Sequence, residues 1–235
     1  MLSYCVTKKT MIAENLKAVT QRISRSCEKC GRSADAVKLV CVTKEADLAE
    51  IEEVLALDVK DIGENRVQDA MVKYRAIGGR AVWHLIGHLQ TNKVRDAVMI
   101  SSLIHSVDSL RLAEAIDREA KRIGKVQDVL IQVNTSGQES KFGISRDEVR
   151  PFFEKAALCP NINITGLMTM APEVDDPEKA RPCFRKLREL RDEFNEIRNT
   201  KYEIRILSMG MTNDFEVAIE EGSTMIRVGR AIFDS

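Results

Sequence analysis

No excess of either charge marks this sequence: 36 Lys and Arg balance 36 Asp and Glu, for a formal net charge of zero. A nucleic-acid surface needs a strongly basic face, so no nucleic-acid partner is expected. The charges are also interleaved, as in Arg118-Glu119-Ala120-Lys121, which reads as solvated helix faces. No apolar run approaches the roughly 18 residues of a membrane span. Residues 1–9 lack a long apolar core, so no secretory signal is expected either. A linker rich in Pro, Gly or Ser is missing as well, which leaves one domain over residues 1–235. Cysteines are present (Cys5, Cys27, Cys30, Cys41, Cys159, Cys183) but dispersed. A chain of 235 residues builds its own core and needs no disulfide framework. Cys27 and Cys30 form a C-x-x-C, yet no second pair and no nearby His complete a zinc set. The expectation is therefore no metal, reduced thiols and a cytoplasmic setting.

What is present is an alternation. Short apolar runs at 38–43, 59–62, 82–86, 102–107, 128–133, 162–168, 204–207 and 225–228 read as strands. Between them lie helical patterns at 47–55, 66–77, 90–99, 109–123, 145–158, 177–198 and 213–220. Ser109 is a fitting N-cap, and Ser145 with Glu148 forms a capping box. Strict alternation with near-continuous apolar strands argues for a parallel sheet with helices on its faces. Eight units argue for closure into a (β/α)8 barrel; a doubly wound open sheet is the second choice. Residues 11–27 form a further helix that can cover the barrel where a final helix is missing.

Barrel sites form at the C-terminal ends of the strands. The residues following the strands are polar and glycine-rich. Lys44 follows the first strand, and partial desolvation there would free its amine for Schiff-base chemistry; a solvated rim lysine is the plainer reading. Ser208-Met-Gly-Met-Thr-Asn-Asp214 and Gly229-Arg230 follow the seventh and eighth strands, where barrels often bind phosphate. Turns needing glycine at positive φ account for them equally well. Arg227 lies between Ile226 and Val228 and should point into the barrel, where it needs a partner: a barrel carboxylate or a ligand ring nitrogen. His84, Asn65 and Lys141 read more simply as satisfied polar groups.

Together these stretches resemble a known family. Val42-Thr-Lys44, Gly63-Glu-Asn-Arg-Val-Gln68, Trp83-His-Leu-Ile-Gly-His-Leu-Gln90 with Asn92-Lys93, and His105-Ser-Val-Asp-Ser109 carry the likeness in the first half. Gln132-Val-Asn-Thr-Ser-Gly137 with Ser140-Lys-Phe-Gly143, Gly166-Leu-Met-Thr169, Leu207-Ser-Met-Gly-Met211 with Asp214-Phe215, and Glu221 to Arg230 carry it in the second. The chain resembles the pyridoxal phosphate homeostasis proteins, single-domain relatives of the alanine racemase N-terminal barrel. The resemblance implies a TIM barrel of the fold-type III class that binds pyridoxal 5'-phosphate (PLP). It implies Lys44 as the Schiff-base lysine, Ser208, Gly229 and Arg230 at the phosphate largely through backbone groups, Arg227 facing the pyridine nitrogen and Asn65 near the ring. Lys141 matches a second lysine suspected in cofactor handling. The chain departs from the family pattern after the first strand, reading Val42-Thr-Lys-Glu-Ala-Asp47 where the family has Val-Ser-Lys-Thr and then Lys-Pro.

An arginine stays protonated, so a ring nitrogen opposite Arg227 would be held as an acceptor. That weakens the ring as an electron sink. Racemases also draw a catalytic group from a second domain, and with Ser235 soon after the last strand no second β-domain is expected. The expected role is therefore storage, shielding and delivery of PLP by a monomer, with PLP-dependent apoenzymes as recipients and no catalytic residues of its own. Two alternatives remain: a slow PLP-dependent amino-acid racemase, and a Schiff-base lyase that uses Lys44 on a sugar phosphate.

Overall fold

In this computed structural model the backbone is described for residues 2–138, 142–196 and 203–234, and side chains from residue 11 onward. Lys141, the Cys5 side chain and the last two residues of the helix expected at 177–198 lie outside the described residues. Eight parallel strands follow one another around a closed barrel. They are β1 (Lys38–Val42), β2 (Asp61–Glu64), β3 (Val82–Leu85), β4 (Leu103–Val107), β5 (Gln127–Gln132), β6 (Ile162–Met168), β7 (Ile206–Ser208) and β8 (Met225–Val228). The helices are α1 (Leu2–Lys29), α2 (Leu48–Ala56), α3 (Val67–Ile77), α4 (Val94–Ile100), α5 (Leu110–Arg122), α6 (Arg146–Ala156), α7 (Arg181–Glu196), α8 (Phe215–Glu220) and α9 (Arg230–Phe233). Pairing of β8 with β1 closes the ring and excludes the open sheet.

Local chemistry sets the helix starts. Asp47 and Glu50 cap α2 reciprocally, at 2.9 and 2.8 Å. Ser145 and Glu148 do the same for α6, and the Ser109 hydroxyl accepts the Leu112 amide at the start of α5. Each cap satisfies amides that the first turn leaves without an intrahelical acceptor. Two strands start two residues later than their apolar runs suggest. The Val59 amide is still bonded to the Val54 carbonyl, closing α2, so pairing with β3 begins only at Asp61. β7 likewise starts at Ile206, because the Ile204 amide and carbonyl are held by the Asn195 side chain. The stretch Pro177–Ala180 is a 3-10 turn capped by Asp176, and the α-helix begins at Arg181.

Helix α1 runs across the outside of the barrel. Ile12, Leu16, Val19, Ile23 and Cys27 are buried against Phe215 and Ile219 of α8, outward side chains of β8, and Ile232 of α9. The apolar face at i, i+4, i+7 and i+11 is what seats it. Arg22 adds two bonds to Glu216, at 2.8 and 2.9 Å, and lies 4.5 Å over the Phe215 ring. One short helix, α9, does follow β8, so α1 supplements a final helix and does not replace it.

Inside the barrel, alternate strand residues converge. Val40, Leu103, Leu130, Met168 and Met225 form an apolar layer. Strands β8, β7, β4 and β3 turn Arg227, Ser208, His105 and His84 inward, and these polar groups meet across the barrel.

Candidate functional site

A cavity of about 630 Å³ opens at the C-terminal ends of the strands. Lys44, Asn65, Arg227, Gly229 and Arg230 line it, as does Asp214. Five of the residues singled out in the sequence thus share one site, although they come from the ends of only three strands and the segments that follow.

Lys44 stands just past β1. Its side chain is 46% exposed, and its ammonium lies 3.3 Å from the Glu45 carboxylate. The desolvation expected of a lysine in that position is not present. The residue before it is held more tightly. The Thr43 hydroxyl donates to Glu64 Oε1 at 2.6 Å, and Lys73 Nζ donates to the Thr43 carbonyl at 2.5 Å and to Glu64 Oε1 at 2.8 Å. A buried ion pair therefore clamps the backbone from which Lys44 projects.

Arg227 is buried and reaches neither a barrel carboxylate nor bulk water. One guanidinium nitrogen donates to Ser208 Oγ at 2.5 Å, and another to the Thr169 carbonyl at 3.0 Å. Burial pulls its pKa down to about 10, only partly opposed by Asp214, so it remains a cation at neutral pH. A guanidinium carries five N–H groups. Two such bonds leave donors for whatever occupies the cavity that Arg227 lines.

The Ser208 side chain takes no direct part in the cavity wall, which leaves only its backbone for the phosphate role the resemblance implies. Its side chain is fully buried, below the cavity and not among its lining residues. The hydroxyl is engaged by Arg227 and by His105 Nδ1, at 3.0 Å. The Ser208 hydroxyl thus stands behind Arg227 inside the barrel, while residues 211–214 of the same segment line the cavity. The Met211 amide is taken by the Asp214 carboxylate at 2.6 Å, and the Asp214 and Phe215 amides by the Met211 carbonyl. The amides of Thr212 and Asn213, both in the cavity lining, have no acceptor among the described residues. Burial pushes the Asp214 carboxyl up, against the opposing pull of the Met211 amide and Arg227.

The two glycines at these turns have different reasons to be glycine. Gly210 has φ +96°, and an added Cβ would sit 2.7 Å from the Ala218 Cβ. Gly229 has φ −126°, so no left-handed backbone is involved. Its constraint is closeness: a Cβ there would stand 2.9 Å from the Val42 carbonyl, one residue before Thr43-Lys44.

His84 is the satisfied core group that its setting in β3 suggests. Its Nδ1 meets His105 Nε2 at 3.0 Å and its Nε2 meets Asp61 Oδ1 at 2.9 Å. Burial, with His84 and Arg227 adding to it, holds the His105 imidazole well below its ordinary pKa. Burial would raise the Asp61 carboxyl, but His84 and Lys38 together outweigh it and hold it low. His105, Asp61, Thr169 and the Glu64–Lys73 pair were given no role from sequence. For His105 the signal was there: an imidazole inside a strand otherwise apolar but for Ser106 must have a buried partner. Cys27, on α1, and Cys30, in the turn just after it, are not among the cavity-lining residues, and among the described residues no cluster suited to a metal ion occurs.

Comparison with known proteins identifies the family. Residues 14–235 match the alanine racemase N-terminal domain. The chain is 44% identical over 221 residues to the pyridoxal phosphate homeostasis protein of Aquifex aeolicus, covering 94% of this chain and 96% of that one. It is 34% identical over 227 residues to the protein of the same name from Escherichia coli K12, covering 94% and 95%. PipY of Synechococcus elongatus, in a structure with PLP bound, superposes with a TM-score of 0.82 at 32% identity, covering 94% of this chain and 99% of that one. An alanine racemase of Clostridium difficile shares the fold, with a TM-score of 0.71 at 16% identity; the match takes in 95% of this chain but 56% of the racemase. A barrel closed by β8 on β1, with a lysine past its first strand and a buried arginine in its last, belongs by this measure to the pyridoxal phosphate homeostasis proteins.

Proposed function

We propose that this chain binds PLP in the cavity at the C-terminal end of its barrel and serves PLP homeostasis by storing, shielding and delivering the cofactor. The observation that carries this is the joint placement of the Lys44 amine and the Arg227 guanidinium around one cavity. Its volume of about 630 Å³ falls within the range of small-cofactor sites. When bound, PLP supplies an aldehyde that an amine can capture and a ring that can draw electrons from a carbanion. Lys44 is the amine that holds the aldehyde, with loss of water. The Thr212 and Asn213 amides, with Gly229 and the Arg230 side chain, are placed to receive a phosphate. Arg227 points its remaining donors at the ring nitrogen, and Asn65 borders the ring. Ser208 acts through Arg227. Lys141 is proposed as an auxiliary lysine in loading or release.

Turnover of amino acids is not part of this function. A cationic Arg227 keeps the ring nitrogen an acceptor and so weakens the ring as an electron sink. The carboxylates at the cavity are already engaged: Asp214 with the Met211 amide, Glu45 with Lys44, and Glu173 with Arg230 at 3.9 Å. Five cysteines have free thiols, and among the described residues no helix is long and apolar enough to cross a membrane. We place the protein in the cytoplasm as a monomer that passes PLP to apoenzymes.

The test is the absorption spectrum of the protein loaded with PLP, with and without borohydride. A visible band, fixed onto the Lys44 peptide by reduction, is expected, and Lys44→Ala should lose it. An adduct of unchanged occupancy in Lys44→Ala refutes the assignment. The absence of any PLP band would favour a lyase acting on a sugar phosphate. Sustained racemisation of an amino acid at about 1 per second or faster would overturn the carrier reading.

A further inference from the structure

Beneath the cavity, five polar side chains cross the barrel in one unbroken line. Arg227 bonds to Ser208 Oγ at 2.5 Å, Ser208 to His105 Nδ1 at 3.0 Å, His105 Nε2 to His84 Nδ1 at 3.0 Å, and His84 Nε2 to Asp61 Oδ1 at 2.9 Å. The line begins at the wall of the cavity and ends at the first residue of β2, at the opposite mouth of the barrel. Lys38 meets Asp61 there at 3.1 Å. His105, on β4, touches Ser208, on β7, so the chain passes through the interior and not along neighbouring strands.

Hydrogen-bond donor rules fix its direction. A guanidinium only donates and a carboxylate only accepts. Ser208 Oγ therefore accepts from Arg227 and turns its proton to His105 Nδ1. His105 then carries its proton on Nε2 and donates to His84 Nδ1. His84 carries its own on Nε2 and donates to Asp61. In this arrangement each hydroxyl and ring proton has an acceptor. The reverse order would protonate both nitrogens of His84 and place a proton on His105 Nδ1. Ser208 would then receive two donors, and its own proton would have no acceptor among the described residues in a fully buried site. An unmade buried hydrogen bond disfavours that state.

We propose that His105 and His84 are positioning residues for Arg227, joined with Ser208 and Asp61 in a one-way hydrogen-bond chain that fixes both imidazoles as neutral Nε2–H tautomers. Through it the guanidinium that faces the cavity is oriented by a carboxylate at the far end of the barrel. The inference rests on the PLP reading for its consequence at the cofactor, while the chain itself belongs to the protein alone.

The test has two arms. The first uses the full chain without cofactor, labelled with 15N-histidine. Only His84, His88 and His105 contribute signals, and half-exposed His88 serves as the internal reference. Expected at neutral pH are protonated Nε2 and bare Nδ1 at both His84 and His105. A proton on Nδ1 of His105, or rapid exchange between tautomers at either ring, overturns the proposal. This arm needs no variant to fold and no ligand to bind.

The second arm loads PLP and follows its absorption band and its rate of loss to an apoenzyme. His105→Leu removes the acceptor for Ser208 and should shift the band and speed cofactor loss roughly tenfold. His105→Asn keeps an acceptor toward Ser208 and should restore the band position and most of the retention. Equal thermal destabilisation of both variants with an unshifted band and unchanged retention would mark His105 as structural filler and defeat the proposal. If the unaltered protein shows no band with PLP, the cofactor reading fails, and with it the consequence claimed for Arg227; the tautomers still decide whether the chain exists.

Discussion

Replacing Lys73 by Met should expose how strongly the start of the site depends on one buried ion pair. The Lys73 and Glu64 side chains are 13% and 1% exposed. Glu64 Oε1 takes both the Lys73 ammonium, at 2.8 Å, and the Thr43 hydroxyl, at 2.6 Å, while Oε2 has no partner among the described residues. Methionine fills the space of the lysine stem but supplies no charge. It leaves a carboxylate in the interior with a single hydroxyl donor, and it leaves the Thr43 carbonyl with the Ala46 amide alone, at 3.0 Å. Breaking a buried pair from one side costs about 3–5 kcal/mol. At about 2–4 °C per kcal/mol for a domain of this size, the melting midpoint should fall by roughly 10 °C. Urea unfolding measures the change directly, provided the slope with denaturant is unchanged. Adding Glu64→Gln to Lys73→Met neutralises the stranded carboxylate and should recover about half the loss. A loss in Lys73→Met below about 1 kcal/mol, or strict additivity of the two changes, would show that the pair is solvated and clamps nothing. Because Thr43 precedes Lys44, the single variant should also capture PLP more slowly than the double.

Stability should depend on His105 at mildly acidic pH. Burial holds its folded-state pKa far below the ordinary value, so below about pH 6.5 the unfolded chain takes up a proton that the fold refuses. Stability then falls by about 1.4 kcal/mol per pH unit as pH drops, and His105→Asn should remove that slope from denaturation curves; an equal slope in the variant refutes the account. Glu221 is buried, and burial acts to raise its carboxyl, but Arg185, Arg181 and Arg188 prevail and hold it low. Glu221→Gln should therefore cost about 1–2 kcal/mol at neutral pH, with the gap from the parent closing below about pH 4, where the unfolded carboxylate is protonated. Gly229→Ala would drive a Cβ against the Val42 carbonyl beside Lys44. It should lower stability by about 1–3 kcal/mol and weaken PLP binding, read by titration of the absorption band; unaltered binding would show that the loop yields freely.

The barrel was legible because its signals are local and repeated. Apolar runs for β6 and β8 coincide with the observed strands, and the caps at Ser109 and Ser145 act where their spacing places them. Strand starts were less legible at β2 and β7, where tertiary bonds to Val59 and Ile204 hold the chain out of the ladder. The site divides the same way. Lys44, Asn65, Gly229 and Arg230 were visible because each follows a strand, where the barrel brings its ends together. Arg227 was visible as a charge inside an apolar strand, but its partner was not. The residues that hold it come from β7 and from Thr169 after β6, and nothing in sequence spacing relates position 227 to 208 or 169. The tie between the Ser208 hydroxyl and Arg227 was hidden for that reason, since that side chain lies inside the barrel and not in the cavity wall.

Stability alone does not explain why a barrel core should contain such a line of polar groups. Buried polar networks are often neutral or costly relative to apolar side chains of the same shape. The apolar layer of Val40, Leu103, Leu130, Met168 and Met225 shows that this interior accepts hydrocarbon, on β4 and β8 among other strands. Two imidazoles, a hydroxyl and a carboxylate were therefore not required to fill space. Once Arg227 is turned inward, however, an unsupported guanidinium would be among the most costly groups in the core. The Ser208 hydroxyl gives that cation a buried acceptor, and the imidazoles and Asp61 in turn satisfy the protons behind it. The Thr169 carbonyl secures a second edge, and the remaining N–H groups keep one orientation toward the cavity. What the interior gains is a cation fixed at the cavity wall, held there by the polar chain on one side and the Thr169 carbonyl on the other.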